Sequence, residues 1–492
     1  MAHLVAAVLL SALAATPDAG PPPAEVTFNK HVAPILFRRC VACHRPGEVA
    51  PFSLLGYADA AKRAGQLAEV TATRKMPPWK AEPGAGHFAD ERRLSDDEIG
   101  VIRRWSEAGA VEGDPADLPP APKFAAGWQA GEPDLVLKMA EPYSLAASGP
   151  DEYRCFVLPI EVPAGKYIRS IEYRPGNRKV VHHAVITSLP RPMAAAKLAE
   201  GDGKSFLSGL APPGQLLSGP LSIWTPGMEP HPLPADLAAR WPDKTDLVLQ
   251  LHLHPSGKPE VEQSTIGILF TDKKPGSRLQ MNVFSSNEID IAPGKPDYEL
   301  RASKTLRAEA NIFGVFPHMH LIGRSVRAEA TLPDGSKIPL ISILDWDFNW
   351  QYYYRYAEPL RLPAGTRIDV RWTYDNSAAN PANPSVPPRR VTYGEQTADE
   401  MAFLILDMIA TGPAPERRLP TAEELSRRAG TMMKMLDKDG DARLDAGELS
   451  SALGGRMTAA QLKKRVADAD KDGDAKLDAA ELVEALKAMG RP

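Results

Sequence analysis

Hydrophobic and polar positions alternate along much of the middle of the chain. From about residue 128 to 412, short runs of Val, Ile, Leu, Tyr and Thr are separated by Pro and Gly at intervals of roughly ten residues. Residues 246–254 illustrate the alternation, which places Val248, Gln250, His252 and His254 on one strand face and leucines on the other. The pattern predicts two all-β antiparallel sandwich domains, jelly-roll-like, over residues 128–283 and 284–412.

Helical patterns flank this β-rich region on both sides. Residues 25–113 lie between two Pro-rich stretches, and Ser95-Asp-Asp-Glu98 is a capping box that opens a helix burying Ile99, Ile102 and Trp105. Residues 420–492 return to helical patterning and contain two short repeats. The predicted fold class is therefore multidomain, with a small all-α domain, two all-β sandwiches and an α-helical pair in succession.

The first residues predict export. Leu4–Ala15 is an apolar run followed by small residues and Pro17, which indicates a signal peptide and linker over residues 1–20. The run is too short to span a bilayer, so we expect a periplasmic or secreted protein without a membrane span. The formal net charge of -4 gives no basic excess, and nucleic acid is not an expected partner.

Two of the three cysteines fall in one motif, Cys40-Val-Ala-Cys43-His44. Two thiols at this spacing bond the vinyl groups of a c-type haem, and the adjacent His is an axial iron ligand. A zinc site or redox CxxC is the alternative, but no further Cys follows in this region to complete a zinc site. Met76 is the predicted sixth ligand and His87 its rival, while Cys155 is interpreted as a plain buried residue. The segment 25–113 resembles a small monohaem cytochrome c, which implies covalently bound haem c.

Six histidines of the β-rich region occur in pairs on separate segments: His182-His183, His252 with His254, and His318-Met-His320. Neighbours in a strand face opposite sides, so the adjacent pair can serve one metal only at a bulge or strand end. The pair at 318 and 320 points one way and can chelate one ion. Imidazole suits copper and zinc alike, whereas a thioether selects Cu(I), and Met401 is a candidate for it.

Residues 128–412 thereby resemble the type II copper, ascorbate-dependent monooxygenases, which include the peptidylglycine α-hydroxylating and dopamine β-monooxygenases. The resemblance lies in four tracts that occur in the family's order: 180–184, 250–252, 318–324 and 399–401. It implies an electron-transfer copper on His182, His183 and His252, and an O2-activating copper on the catalytic residues His318, His320 and Met401. From the residues alone, His254 stays an alternative to His252.

One departure from the family bears on the substrate. Peptide-amidating members hold the substrate carboxylate with polar residues at positions that are Phe316, Phe403 and Ile405 in this chain. An unpaired buried charge is costly, so we expect a small apolar or aromatic substrate, with O2 and an external electron donor as further partners. The sequence shows no nucleophile with its base and no phosphate-binding Gly loop. The alternative to an enzyme is a noncatalytic haem and copper electron-transfer or copper-binding protein.

Two twelve-residue stretches in the tail, 437–448 and 470–481, match the EF-hand loop. The expected ligands are Asp437, Asp439, Asp441, Arg443, Asp445 and Glu448 in the first loop and Asp470, Asp472, Asp474, Lys476, Asp478 and Glu481 in the second. Arg443 and Lys476 offer backbone carbonyls. Ala442 and Ala475 stand where the loop usually has Gly, so we expect up to two weakly bound calcium ions, with Kd of roughly 10⁻⁴ M or weaker.

Overall fold

A computed structural model describes residues 26–124, 127–207, 222–228, 230, 237–276, 279–394, 396–411, 421–437, 439–453 and 459–490. The predicted signal peptide lies outside these ranges. Within them, every helix is too short or too polar to cross a membrane. The chain separates into two compact units, one formed by residues 1–77 and 93–122 and the other by residues 78–92 and 123–492.

The first unit is helical. It contains a helical turn over Phe28–Val32 and the helices α1 (Ala33–Arg39), α2 (Tyr57–Ala61), α3 (Ala64–Ala72) and α4 (Asp96–Glu107). The predicted capping box opens α4, since the side chains of Ser95 and Glu98 each accept from the other's backbone N–H. Its core packs Phe28, Leu36, Ile102 and Trp105, which are almost completely buried.

The predicted fold class is wrong. The structure is mainly β, with helices accounting for only 21% of it, and residues 25–113 do not form a closed all-α cytochrome c domain. Residues 78–92, which fall in the middle of that segment, belong to the β-rich unit instead. Trp79 and Phe88 join its hydrophobic core, and Glu82 N–H donates to the Ser342 carbonyl over 2.7 Å. Burial of these aromatic rings against strands distant in sequence places this stretch in the β-rich unit.

The second unit is built from antiparallel strands. Its first half contains β1 (Leu135–Lys138), β2 (Tyr143–Leu145), β3 (Glu152–Leu158), β4 (Tyr167–Arg174), β5 (Val181–Pro190), α5 (Arg191–Glu200), β6 (Ser205–Leu207), β7 (Ser222–Trp224), β8 (Thr245–Leu253), β9 (Glu260–Glu262) and β10 (Thr265–Thr271). The central sheet has the order β6-β3-β8-β5-β7, and a three-stranded sheet has the order β1-β10-β4. A shared core of apolar side chains lies between them, with Leu249, Leu251 and Ile266 fully buried.

The second half of the unit contributes β11 (Gln280–Ser285), β12 (Asp290–Ile291), β13 (Tyr298–Thr305), β14 (Ala310–His318), β15 (Gly323–Thr331), β16 (Lys337–Ile343), β17 (Tyr354–Leu362), β18 (Arg367–Tyr374), β19 (Val391–Thr392) and β20 (Phe403–Ala410). Two four-stranded sheets, β11-β20-β14-β17 and β13-β18-β15-β16, enclose the largest core of the protein.

The tail forms α6 (Ala422–Leu436), β21 (Leu444–Asp445), α7 (Ala446–Leu453), α8 (Ala459–Ala469), β22 (Lys476–Leu477) and α9 (Ala479–Gly490). The two short strands pair antiparallel, which sets the two acidic loops side by side.

Candidate metal centres

The first histidine group lies on two neighbouring strands of the central sheet. His182 and His183 are at the start of β5, and His252 is near the end of β8, directly opposite His183 in the register. The pairing of β5 with β8 shifts between Val181 and His183. This irregularity is the bulge that two adjacent metal ligands require, because it turns both imidazoles toward one side.

The ring nitrogens of this group converge. The Nδ1 atom of His183 lies 3.3 Å from Nδ1 of His182 and 3.4 Å from Nδ1 of His252. Three nitrogens bound at about 2.0–2.1 Å to one ion stand about 3.3–3.6 Å apart in tetrahedral or trigonal geometry. The spacing therefore fits a single transition-metal ion on the three Nδ1 atoms.

Burial keeps the imidazoles of His182 and His183 neutral. Together with the proximity of His252, it lowers the pKa of His182 to about 3, and the same causes hold the pKa of His183 well below its usual range. Neutral imidazole is the form that binds metal. The Nε2 atom of His182 is buried without a hydrogen-bond partner among the described residues.

The structure distinguishes His252 from His254. His252 is completely buried and lies within the group, with its ring 4.9 Å from that of His183. The His254 side chain is 67% exposed and hydrogen-bonds to Asp151 from the outer side. The structure thus brings His182, His183 and His252 together and leaves His254 outside the set.

The second group lies where β14 ends. His318 is the last residue of β14, and His320 follows in the turn to β15, with the two rings 5.1 Å apart. The Nδ1–H of His318 donates to the Gln351 side-chain oxygen, and Nδ1–H of His320 donates to the Asp399 carbonyl over 3.0 Å. Because a neutral imidazole has one N–H, both Nε2 atoms keep a lone pair for a metal.

Met401 is connected to this group through a buried acid that the sequence reasoning did not single out. His318 pairs with Phe403 at the end of β14, and Met401 lies two residues before Phe403. Glu400 is completely buried and accepts the backbone N–H of His320 at 2.8 Å, of Ile322 at 2.9 Å and of Met401 at 3.2 Å. Burial raises the pKa of Glu400 to about 8, against the effect of these hydrogen bonds. Glu400 therefore joins the His-x-His turn to the segment that carries Met401.

The two groups adjoin within the second unit. The rings of His183 and His318 are 6.3 Å apart. Phe348 packs between the groups: it stacks on His182 at 4.8 Å and meets the His320 ring edge-on at 5.9 Å. All five imidazoles thus belong to one continuous cluster.

An apolar wall borders the second group. Phe316 and His318 lie two apart on β14, opposite Ile405 and Phe403 on β20, so the four side chains share one sheet face. Phe403 stacks on the His318 ring at 6.0 Å. Phe316, Phe403 and Ile405 therefore form a hydrophobic surface next to His318.

The Cys-x-x-Cys-His motif follows α1 directly. The N–H groups of Cys43 and His44 donate to the Cys40 carbonyl in a tight turn, and both cysteines are free thiols. Burial and the neighbouring Cys43 raise the pKa of Cys40 to about 12. His44 Nδ1–H donates to the Phe52 carbonyl over 3.2 Å, which leaves Nε2 for an axial bond. The residues thus fit covalent haem attachment.

The two candidates for a sixth ligand belong to different units. Met76 lies in the helical unit, where its N–H donates to the Val70 carbonyl. His87 lies in the segment that joins the β-rich unit, where its carbonyl accepts from Ala357 N–H.

In each acidic loop of the tail, three carboxylates converge. Asp437, Asp439 and Glu448 bring ligand oxygens within 4.8 Å of one another, as do Asp470, Asp472 and Glu481. Ala442 and Ala475 have φ angles of 61° and 65°, so the turn needs the positive φ that favours Gly. Asp445 and Asp478 accept the N–H groups of Glu448 and Glu481 and so begin the following helices.

The sequence reasoning missed three further residues of the histidine cluster: Asp151, Phe348 and Gln351. Gln351 and Phe348 lie in an aromatic stretch that carries no metal-ligand spacing. Asp151 precedes β3 and is 101 and 103 residues from the two histidines that it contacts. A single acid at that distance gives no local signal, whereas Glu400 next to Met401 was open to inference as a buried acid in an apolar context.

Comparisons with known proteins add little. No family model matches the chain, and no curated protein matches it. Among solved structures, the major capsid protein P2 of bacteriophage PM2 has a TM-score of 0.21 at 11% identity, covering 57% of this chain and 99% of its own. The infectious bursal disease virus Gx strain structure has a TM-score of 0.18 at 9% identity, covering 59% and 76%. Scores this low do not indicate a shared fold or function.

Proposed function

We propose that this protein is an exported copper-dependent monooxygenase that hydroxylates a C–H bond of a small apolar or aromatic substrate. The single observation that carries the proposal is the spacing of the three Nδ1 atoms of His182, His183 and His252, 3.3 and 3.4 Å apart, beside a second pair of histidines whose Nε2 atoms are directed by hydrogen bonds. The balanced reaction converts substrate C–H, O2, two electrons and two protons into C–OH and water.

The first group would hold one copper, and His318, His320 and Met401 would hold the other. When bound, the coppers supply one-electron transfer and O2 activation. Gln351 and the Asp399 carbonyl keep the Nδ1 protons of His318 and His320 in place. The wall that includes Phe316 and Phe403 favours an apolar substrate and excludes water, since it offers no partner for a carboxylate.

The same proposal includes two further groups. Cys40, Cys43 and His44 would hold a haem c, with Met76 as sixth ligand, and this one-electron carrier would receive electrons singly from an external donor. The tail would bind up to two calcium ions weakly.

A noncatalytic electron-transfer or copper-binding protein is the second candidate. It is favoured by the burial of the cluster, because Phe348 is only 8% exposed and covers the His182 ring.

Oxygen uptake with ascorbate separates the two candidates. The copper-loaded protein is supplied with aromatic and aliphatic substrates and with matched carboxylates, and product is analysed for ¹⁸O from labelled O2. The proposal expects labelled alcohol from apolar substrates, with loss of product in His320→Ala. Copper that binds and cycles with ascorbate without forming labelled product from any substrate would favour the noncatalytic protein.

A further inference from the structure

Asp151 is not a proposed metal ligand, yet its carboxylate contacts His252, His254 and Thr397. Its Oδ2 atom accepts from His252 Nε2 at 2.7 Å and from the Thr397 hydroxyl at 2.7 Å. Its Oδ1 atom lies 2.7 Å from His254 Nδ1. The carboxylate, only 12% exposed, therefore connects β8 of the central sheet with the segment that leads to Met401.

The contact with His252 determines which ring nitrogen faces the metal group. A carboxylate only accepts hydrogen bonds, so Nε2 is the ring nitrogen of His252 that donates to Asp151, and the neutral imidazole that binds metal does so through Nδ1. Its Nδ1 atom then has a free lone pair, and this is the atom that lies 3.4 Å from His183 Nδ1.

The contact with Thr397 reaches the second group. Thr397 is four residues before Met401 and two before Asp399, whose carbonyl accepts from His320. Tyr153 reinforces the connection, because its ring stacks on His252 at 4.2 Å and its hydroxyl lies 3.3 Å from the Thr397 hydroxyl. A shift of the carboxylate would therefore displace residues of both groups.

We propose that Asp151 is a positioning residue that fixes His252 with Nδ1 toward the first metal and, through Thr397, holds the Met401 segment in register with it. The inference rests on the proposed function, in that it takes the two histidine groups to be copper sites. Partners of this kind change metal affinity by about 10- to 100-fold when they are removed.

The test uses the full chain, copper alone as the probe, and a His320→Ala background that keeps only the first site. We expect Asp151→Asn to weaken Cu(I) binding there by about 10- to 100-fold in a competition assay and to change the Cu(II) EPR hyperfine pattern. Asp151→Glu should restore part of the Cu(I) affinity and part of the original hyperfine pattern. His254→Gln is the matched control, because it removes the outer partner of the same carboxylate and should leave the spectrum unchanged.

Thr397→Val tests the contact between Asp151 and the Met401 segment. It is made in a His182→Ala background, in which only the second site stays intact. We expect the Cu(II) EPR spectrum to change, while the thermal midpoint falls no further than it does when an exposed residue is substituted. Wild-type affinity and spectra in Asp151→Asn, or an equal effect of His254→Gln, would overturn the inference. If Asp151→Asn fails to fold, the Asp151→Glu and Thr397→Val spectra decide. Copper that binds as expected without hydroxylation would refute the monooxygenase and leave the role of Asp151 standing.

Discussion

The side chains of Arg443 and Lys476 each reach across to the other acidic loop of the tail. Arg443, at position 7 of the first loop, pairs with Asp472 at 2.8 Å and with Asp474, both in the second loop. Lys476, at the same position of the second loop, pairs with Asp439 at 3.1 Å and with Asp441 in the first. Each loop therefore holds the cation of its neighbour at positions 3 and 5, where calcium ligands are expected.

The exchange predicts a crossed effect on calcium binding. A bound calcium ion must displace the tethered cation and then tolerate its charge nearby, so Arg443→Gln should strengthen binding in the second loop by a few fold, and Lys476→Gln in the first. NMR titration of the full chain with calcium, read loop by loop, measures both. Lys464→Gln, which removes a cation of α8 paired with Asp468, is the control. Equal effects on both loops, or none beyond the control, would contradict the prediction.

The two alanines with positive φ predict a gain in local stability. Left-handed backbone costs a residue with Cβ about 1–2 kcal/mol, so Ala442→Gly and Ala475→Gly should each stabilise its loop by about 1 kcal/mol. Hydrogen exchange of the β21 and β22 amides should slow accordingly. Ala480→Gly, within helix α9, should act in the opposite direction because Gly weakens a helix by about 1 kcal/mol. Faster exchange in the loop variants would show that the turn is not strained.

The sequence narrowed the His182-His183 pair to a bulge or a strand end, and it indicated the unusual turn at Ala442 through the Gly that the loop usually has there. Both features depend on neighbours within a few residues. The sequence could not decide between His252 and His254, since side chains alternate along a strand and residues two apart lie on the same face. Only Asp151 and Phe348, which come from distant segments, distinguish them. The failure over residues 78–92 has the same origin: Trp79 contacts Tyr354, 275 residues away, at 5.0 Å, and no local pattern encodes that contact.

The proximity of His183 and His318 predicts that the two coppers interact magnetically. With rings only 6.3 Å apart, two Cu(II) ions bound to these groups would be close enough for dipolar broadening or coupling. The EPR spectrum of the fully loaded protein should therefore differ from the sum of the spectra of His320→Ala and His182→Ala, each loaded with one copper. A spectrum equal to that sum would show that the metals are held apart.

Asp407 predicts a pH dependence that is separate from the metals. Burial raises its pKa from 3.8 to about 6, although a hydrogen bond from Tyr353 opposes the shift. Between these values the unfolded chain releases the proton first, so the free energy of unfolding falls as pH rises from about 4 to about 6, by on the order of 3 kcal/mol. Asp407→Asn should remove this fall and be more stable than wild type at pH 7. Denaturant unfolding of the apoprotein at pH 4, 5, 6 and 7 measures it, and parallel curves for both proteins would contradict it.

Glu400 predicts a selective loss of the second copper. Above pH 8, where the carboxyl is ionised, both of its side-chain oxygens accept backbone N–H groups. In that pH range Glu400→Gln places the amide NH2 group against a backbone N–H and leaves buried groups unpaired, at about 1–3 kcal/mol. The His-x-His turn should then separate from the Met401 segment.

Glu262→Gln is a matched control for that variant, because Glu262 is equally buried and accepts the N–H groups of Gly176 and Asn177 away from the second histidine group. Both variants should lower the thermal midpoint, since each leaves buried donors unpaired. Only Glu400→Gln should reduce copper from two ions to one per chain, with the EPR spectrum of the first site retained. Equal copper loss in both variants would mean that Glu400 serves general stability and does not hold the second site together.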